Sequence, residues 1–160
     1  MSLESKVLEL LTPIADELGV DVLSVRIGGP SRNQLVQVLV DRKGGVDSDT
    51  LARASRGLAL QLDVEDLIAG KYRLELSSPG LEWPLESAAD FNRYEGEWIR
   101  VTFEEGGEHG GAIEGDNLGP DRDGFLIQER GSEPRYFALS EVKKVVRAVD
   151  WKKVSRGGNK

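Results

Sequence analysis

The sequence has no cysteine, a single histidine and a single methionine, and aromatic residues make up only 6% of it. Without cysteine there is no disulfide framework and no thiolate zinc site. The histidine, His109, lies in a glycine-rich stretch typical of a hairpin loop, whereas a catalytic base needs a rigid orienting partner. These absences argue against hydrolase and zinc-site chemistry, and we predict no catalytic residue, no metal and no cofactor.

Long apolar runs are also missing. No stretch approaches the roughly 20 residues that span a bilayer, and the first residues show no basic segment leading into an apolar one. With 39% apolar and 31% charged residues, the composition is typical of a globular protein. We therefore expect a cytoplasmic protein without a membrane partner. Its 160 residues allow one ordinary domain or two small ones.

Turn carboxylates after residue 115 raise the possibility of a calcium loop, but their spacing does not fit one. If Gly124 is taken as the invariant sixth position, Gly119 falls at the first ligand and Arg130 at the twelfth. Those positions require Asp and Glu. We interpret Asp116, Asp121, Asp123 and Glu129 as solvated turn residues.

The first half of the chain alternates between helix and strand patterns. Apolar residues at spacings of three and four predict a helix that ends at Gly19 and that Pro13 should kink or divide. A second helix should begin after an N-cap at 47–49. Period-two alternation predicts three strands, at 20–28, 34–41 and 71–77, the first two forming an antiparallel hairpin. The resulting α-β-β-α-β order predicts a sheet covered by helices on one face.

The second half has short strand patterns separated by glycine-containing turns. Ser87 should cap a short helix whose core side carries Phe91 and Tyr94, and Trp98 is expected in the core. Five strands are predicted, at 97–103, 110–115, 124–130, 134–139 and 143–149. So many short strands indicate a small closed barrel, because closure removes exposed edges. The basic stretch 143–147 indicates equally a contact surface or an edge strand that its lysines protect from aggregation.

The two halves meet at a rigid segment. The strand at 71–77 ends before a Ser-Pro-Gly-Leu sequence typical of a type II turn, with Gly80 at positive φ. Another proline follows closely, so neither a helix nor a central strand can continue. We predict a stiff interdomain junction formed by Ser77, Ser78, Pro79, Gly80, Leu81, Trp83 and Pro84. The predicted domains are 1–82 and 83–151, followed by a basic tail at 152–160.

This segment also carries a family resemblance. Residues 77–85, Ser-Ser-Pro-Gly-Leu-Glu-Trp-Pro-Leu, resemble the Ser-Ser-Pro-Gly-Leu-Asp-Arg-Pro-Leu signature of the bacterial ribosome maturation factor RimP family. The similarity extends to Val40-Asp41, to 61–63 and to 137–140. The resemblance implies an α+β protein whose α-β-β-α-β domain is followed by a small SH3-like or Sm-like β-barrel. Trp83 replaces the family's arginine, which removes a charged fork for carboxylate or phosphate.

The resemblance implies a non-catalytic assembly factor that binds the immature small (30S) ribosomal subunit and promotes its maturation. The expected partners are a basic small-subunit ribosomal protein and neighbouring rRNA, with no DNA, and the protein is expected to be a monomer. A net charge of −7 suits a basic partner protein. A general RNA-binding or translation-regulating module remains the alternative, and a small hydrolase that uses His109 or a carboxylate pair also stays open.

Basic residues are concentrated in two regions despite the negative net charge. Residues 26–56 hold six basic against three acidic residues, and residues 143–160 hold seven against one. Acidic residues dominate between these regions in the second half. Candidate contacts to the subunit or its RNA are Arg42, Lys43, Arg53, Arg56, Lys143, Lys144 and Arg147.

Overall fold

The computed structural model describes residues 2–107 and 109–152. The chain divides between Pro79 and Gly80 into two compact units, and each has its own apolar core. The sequence placed this boundary between residues 82 and 83. The predicted tail at 152–160 lies outside the described residues, apart from Lys152.

The first unit is an α/β domain with the predicted α-β-β-α-β order. β1 and β2 form the expected antiparallel hairpin, and β3 lies parallel to β2 in the sheet order β1-β2-β3. A parallel pair needs a crossover connection, which the second helix provides. The elements are α1 (Leu3–Leu18), β1 (Asp21–Gly28), β2 (Asn33–Asp41), α2 (Ser48–Glu65) and β3 (Lys71–Ser77).

Both helices pack on one face of this sheet, as predicted. In β2, Val36, Val38 and Val40 are at most 1% exposed and contact α1 and α2 residues such as Leu11 and Leu58 in a single core. Fully burying one such aliphatic side chain stabilises the fold by about 1.5–3 kcal/mol. A one-residue slip of β2 would turn all three valines to the other face, so the core fixes the register.

The carboxyl end of α1 lies where the sequence predicted it, but the helix is not divided at Pro13. Ser2 caps the helix through Ser5 N–H, and Gly19 ends it in the left-handed region at φ 71°, as predicted. The helix continues through Pro13, so of the two predicted effects, a kink or a division, the division is wrong. The ring removes only one N–H donor, and packing of the apolar stripe over both turns outweighs that loss.

The second unit is a five-stranded antiparallel sheet with one short helix. Its elements are α3 (Ala88–Arg93), β4 (Trp98–Thr102), β5 (Ala112–Asp121), β6 (Gly124–Gln128), β7 (Arg135–Ala138), the 3₁₀ turn Leu139–Glu141 and β8 (Lys144–Arg147). The strand order is β7-β6-β5-β4-β8. Within the described ranges no ladder joins β7 to β8, so the predicted closed barrel is not confirmed and β8 is an edge strand.

The second core contains Phe91 and Tyr94, as predicted, and the rings of Phe91 and Phe125 stack with centroids 4.4 Å apart. The prediction that Trp98 lies in the core is wrong. Ile99 is fully buried, and Trp98 lies on the opposite face of β4, where its indole N–H donates to Glu114 at 2.8 Å. The strand pattern was right, and the alternation places Ile99 inside instead.

β5 is longer than predicted because it continues through Gly119 and Pro120. Its register shifts between Asn117 and Gly119, and Gly119 adopts φ 103°. A bulge of this kind accommodates residues that otherwise indicate a turn. No helix in the part of the chain that the structure describes is both long and apolar enough to cross a membrane.

Candidate functional site

The segment that follows β3 is attached to the edge strand β8. Leu85 N–H donates to the Val145 carbonyl at 2.8 Å, and Pro84 forms an isolated bridge with Val146. Leu85 is only 2% exposed and belongs to the second core. Residues 80–85 are therefore held by the second unit. Trp83 is half-buried.

The turn in this segment starts later than predicted. Trp83 N–H donates to the Gly80 carbonyl at 3.2 Å, so the hydrogen-bonded turn spans 80–83 rather than 78–81. Gly80 does not lie in the left-handed region, and the predicted type II turn is wrong. A Cβ on Gly80 would meet the carboxylate of Glu82, which is the flexible end of an exposed side chain.

Arg147 fastens this turn to the sheet. Its Nη2 donates to the Gly80 carbonyl at 3.2 Å, and its guanidinium carbon lies 4.1 Å from the centre of the Tyr94 ring. Its Nη1 is 3.7 Å from a carboxylate oxygen of Glu97, and the side chain is only 12% exposed. The geometry makes Arg147 a residue that positions the segment, because little of its charge faces solvent.

Lys143 and Lys144 occupy a different environment. Both are exposed, and they line an open groove of about 420 Å³. Its other lining residues are mostly apolar: Pro84, Leu85, Glu86, Leu139, Val142 and Val145. Lysines on flexible stems at such an edge can reach a phosphate and also discourage pairing with another sheet.

Arg42, the first candidate contact in the first unit, is also bound internally. Its Nε donates to the Gly45 carbonyl at 2.9 Å, and its Nη1 to the Leu18 carbonyl at 3.3 Å, at the end of α1. Its Nη2 lies 3.8 Å from Asp47, the N-cap of α2. A cation there satisfies helix-terminal carbonyls and favours the helix dipole. Arg42 therefore connects the two helices.

Asp47 completes this arrangement. Its carboxylate accepts from Thr50 N–H at 2.7 Å. Hydrogen bonds from Thr50 are the main cause that lowers the pKa of Asp47, and the charges of Arg42 and Arg53 lower it further. The predicted N-cap is confirmed.

The remaining candidates in the first unit are exposed. Arg53 is 63% exposed and pairs with Asp49 at 3.3 Å, one turn earlier on α2. Such an exposed pair is worth little and exchanges readily for another anion. Arg56 lies three residues further along the helix and is exposed, as is Lys43 in the loop before α2. These three side chains are accessible to a ligand.

Two of the residues considered for chemistry contact aromatic side chains. The ring of His109 packs on Phe103 and Phe137, with centroid distances of 4.8 and 5.2 Å. Asp123 accepts a hydrogen bond from the Tyr136 hydroxyl. Over residues 2–107 and 109–152, no group of three or more His, Asp or Glu side chains could hold a metal ion.

The fold defines an α+β protein of two compact units, and the second unit carries exposed lysines at an open groove. Residues 10–82 match the family model of the RimP N-terminal domain. The match covers most of α1 and all of β1, β2, α2 and β3. It confirms the resemblance to the RimP family of ribosome maturation factors and identifies the first unit as the family's N-terminal domain.

Proposed function

We propose that this protein binds the immature small ribosomal subunit and promotes its maturation without catalysing a reaction. The observation that carries the proposal is the RimP N-terminal domain at residues 10–82, since that family acts in ribosome maturation. The family match therefore supports the proposed process, ribosome maturation. The exposed charges of this chain support the proposed contacts with the subunit.

The contacts to rRNA phosphate are assigned to exposed cations. These are Lys43, Arg53 and Arg56 around the start of α2, and Lys143 and Lys144 at β8. Arg42 and Arg147 hold carbonyls of their own chain, so their role in the proposal is to position neighbouring segments. Phosphate contacts dominate nucleic-acid affinity and make it depend on salt.

The contact to a basic small-subunit ribosomal protein is assigned to the second unit. Some of its carboxylates are neutralised within the unit, since Glu114 pairs with Arg100 and Glu129 with Arg135, each at 2.8 Å. Exposed carboxylates that have no ion pair with another described residue remain for a partner, and they include Glu104, Glu105, Asp116 and Glu133. Complementary charge would speed association and favour a basic partner.

We also propose that the second unit is a variant of the SH3-like fold that the family resemblance implies. The support is the bulge in β5, which bends a strand that pairs with β4 through its first half and with β6 through its second. Further expectations are a cytoplasmic monomer that has no membrane or DNA partner. A net charge of −7 opposes general attraction to nucleic acid.

Co-sedimentation tests this function. The purified protein is centrifuged with mature small subunits, immature small subunits, large subunits and joined ribosomes, each at moderate and high salt. We expect association with small subunits, strongest for immature ones. Equal binding to all particles, or no binding, would contradict the proposal.

Single-charge variants locate the phosphate contact. Lys144→Gln should weaken binding and make it less sensitive to salt, because one phosphate contact is lost. Lys6→Gln, at an exposed position of α1, is the matched control and should have no effect. If both variants bind like the parent at every salt concentration, Lys144 does not contact phosphate.

A further inference from the structure

The sheet of the first unit has one face that neither helix covers. The strand register places Arg26, Gln37 and Glu75 side by side in one row across β1, β2 and β3. In the next row Leu35 lies beside Arg73, and in the row after that Asn33 lies beside Lys71. Because side chains alternate along a strand, all these residues lie on the face opposite the buried valines of β2.

One end of this face is strongly cationic. Arg26, Lys71 and Arg73 are exposed, and so is Arg32 in the β1–β2 hairpin, whose carbonyl accepts from Lys71 N–H at 3.2 Å. None of the four forms an ion pair within residues 2–107 and 109–152. Glu75, the acidic residue in these rows, accepts from Gln37 Nε2 at 3.4 Å. Asp21 and Asp41 lie at the opposite end of the strands.

The centre of the face combines apolar and amide groups. Leu35 and Leu39 are half-buried and do not belong to the apolar core beneath the sheet. Gln37 lies between them on the same face, and Asn33 follows Leu35 towards the cationic end. Apolar surface, amides and unpaired guanidinium groups occur together here on a rigid sheet.

We propose that this face binds a single-stranded segment of RNA. The four cations contact phosphates, the leucines contact the faces of unstacked bases, and the amides of Gln37 and Asn33 contact base edges. An acidic protein segment would satisfy the cations but would leave the leucines without a matching group.

A duplex fits the same surface less well. Paired bases stack on one another, and their faces are not available to side chains on a sheet. The proposal deepens the proposed function by naming the form of rRNA that the first unit meets, and its biological setting rests on that function. The binding itself can be measured on isolated RNA.

Fluorescence anisotropy with the full chain tests the proposal. The probes are a labelled single-stranded RNA of about 12 nucleotides, a length typical of single-strand sites, and the same strand in a duplex. We expect tighter binding of the single strand. Arg73→Gln should weaken it about fourfold at 0.15 M salt and reduce the salt slope by about 0.7, as expected for one lost phosphate contact.

Three further variants separate the contributions. Lys6→Gln removes one exposed charge from α1 and should change neither affinity nor slope. Leu35→Ser should weaken binding without changing the slope, because no phosphate contact is lost. Arg73→Lys keeps the charge and should retain the slope, and thermal unfolding of each variant verifies that it is folded.

Several outcomes would overturn the proposal: equal affinity for the duplex, equal losses in Arg73→Gln and Lys6→Gln, absence of binding, or displacement of RNA by a glutamate-rich peptide at equal concentration. The proposed function is tested separately. If the protein still sediments with small subunits, that function stands while this inference fails. If the RNA results are as expected but subunits are not bound, the inference stands and the proposed function fails.

Discussion

Asn117 shows how one buried polar side chain holds the second unit together. It is fully buried, its Nδ2 donates to the carbonyls of Phe91 and Tyr94 at 3.0 Å each, and its Oδ1 accepts from Gly119 N–H at 2.9 Å. Asn117→Ala would leave buried backbone groups without partners, and we expect a loss of about 3 kcal/mol in unfolding free energy.

Urea denaturation followed by tryptophan fluorescence measures this loss, since Trp83, Trp98 and Trp151 all lie in the second unit. Asp116→Ala, at the exposed neighbouring position, is the control and should change stability by no more than about 0.5 kcal/mol. Equal effects of the two substitutions would show that the Asn117 hydrogen bonds contribute little.

Two glycines of the second unit should respond differently to alanine. A Cβ on Gly124 would overlap the backbone carbonyl of Phe137 in the neighbouring strand β7, which cannot move without breaking the ladder. We expect Gly124→Ala to cost about 2 kcal/mol, as overpacking does. Gly80→Ala meets only the mobile carboxylate of Glu82 and should stay within about 0.5 kcal/mol. The same urea titration compares them, and a larger cost at Gly80 would contradict the contact geometry.

The sequence singled out Gly80 because a Pro-Gly pair is typical of a type II turn. The turn at 80–83 could not be predicted from the sequence. It depends on the hydrogen bond from Arg147, 67 residues away, to the Gly80 carbonyl. Arg42 was predicted as a contact to the subunit, and its bonds to carbonyls of its own chain could not be predicted for the same reason. Counting charges identifies a basic stretch, but whether its guanidinium groups face solvent depends on carbonyls that the fold brings to them.

At the scale of elements, Tyr72 of β3 joins the sheet to α2. Its hydroxyl donates to Asp63 at 3.0 Å. Burial raises the pKa of Tyr72, and the hydrogen bond and charge of Asp63 raise it further. The pKa of Tyr72 is higher in the folded state than in the unfolded state. The contribution of its protonated hydroxyl to folding stability is therefore complete below about pH 10 and is lost as pH rises through the folded pKa.

We therefore expect Tyr72→Phe to be less stable than the parent at neutral pH and to lose less stability above about pH 10. Thermal unfolding followed by circular dichroism at 222 nm reports on the first unit, which contains both long helices. A parent-to-variant difference in Tm that stays constant from neutral to strongly alkaline pH would contradict the assignment.

Element types were predictable wherever periodicity was strong. Both long helices, the β1–β2 hairpin, β3 and the caps Gly19, Asp47 and Ser87 agree with the structure. β5 was predicted too short, because Gly119 and Pro120 indicate a turn when neighbouring strands are unknown. The parallel pairing of β3 with β2 was not predicted, because the sequence does not state which strands pair or in which register. The cationic face depends on that pairing.

At the scale of the whole molecule, the boundary between the units can be tested by cutting the chain. Both units have separate cores, so fragments 1–79 and 80–160 should each unfold cooperatively. Fragment 83–160, cut at the boundary that the sequence indicated, lacks the Gly80 carbonyl that Arg147 binds. It should be less stable than 80–160 by about 1 kcal/mol, the typical worth of a hydrogen bond.

Arg147→Ala in both fragments identifies the cause. If the bond to Gly80 stabilises the longer fragment, the substitution should remove most of the difference between 80–160 and 83–160, as a double-mutant cycle requires. Urea titration followed by tryptophan fluorescence supplies all four free energies. Equal stability of the two unsubstituted fragments would mean that residues 80–82 add nothing to the second unit. If the two fragments still differ in stability after Arg147→Ala, the effect of residues 80–82 comes from the 80–83 turn, where Trp83 N–H donates to the Gly80 carbonyl.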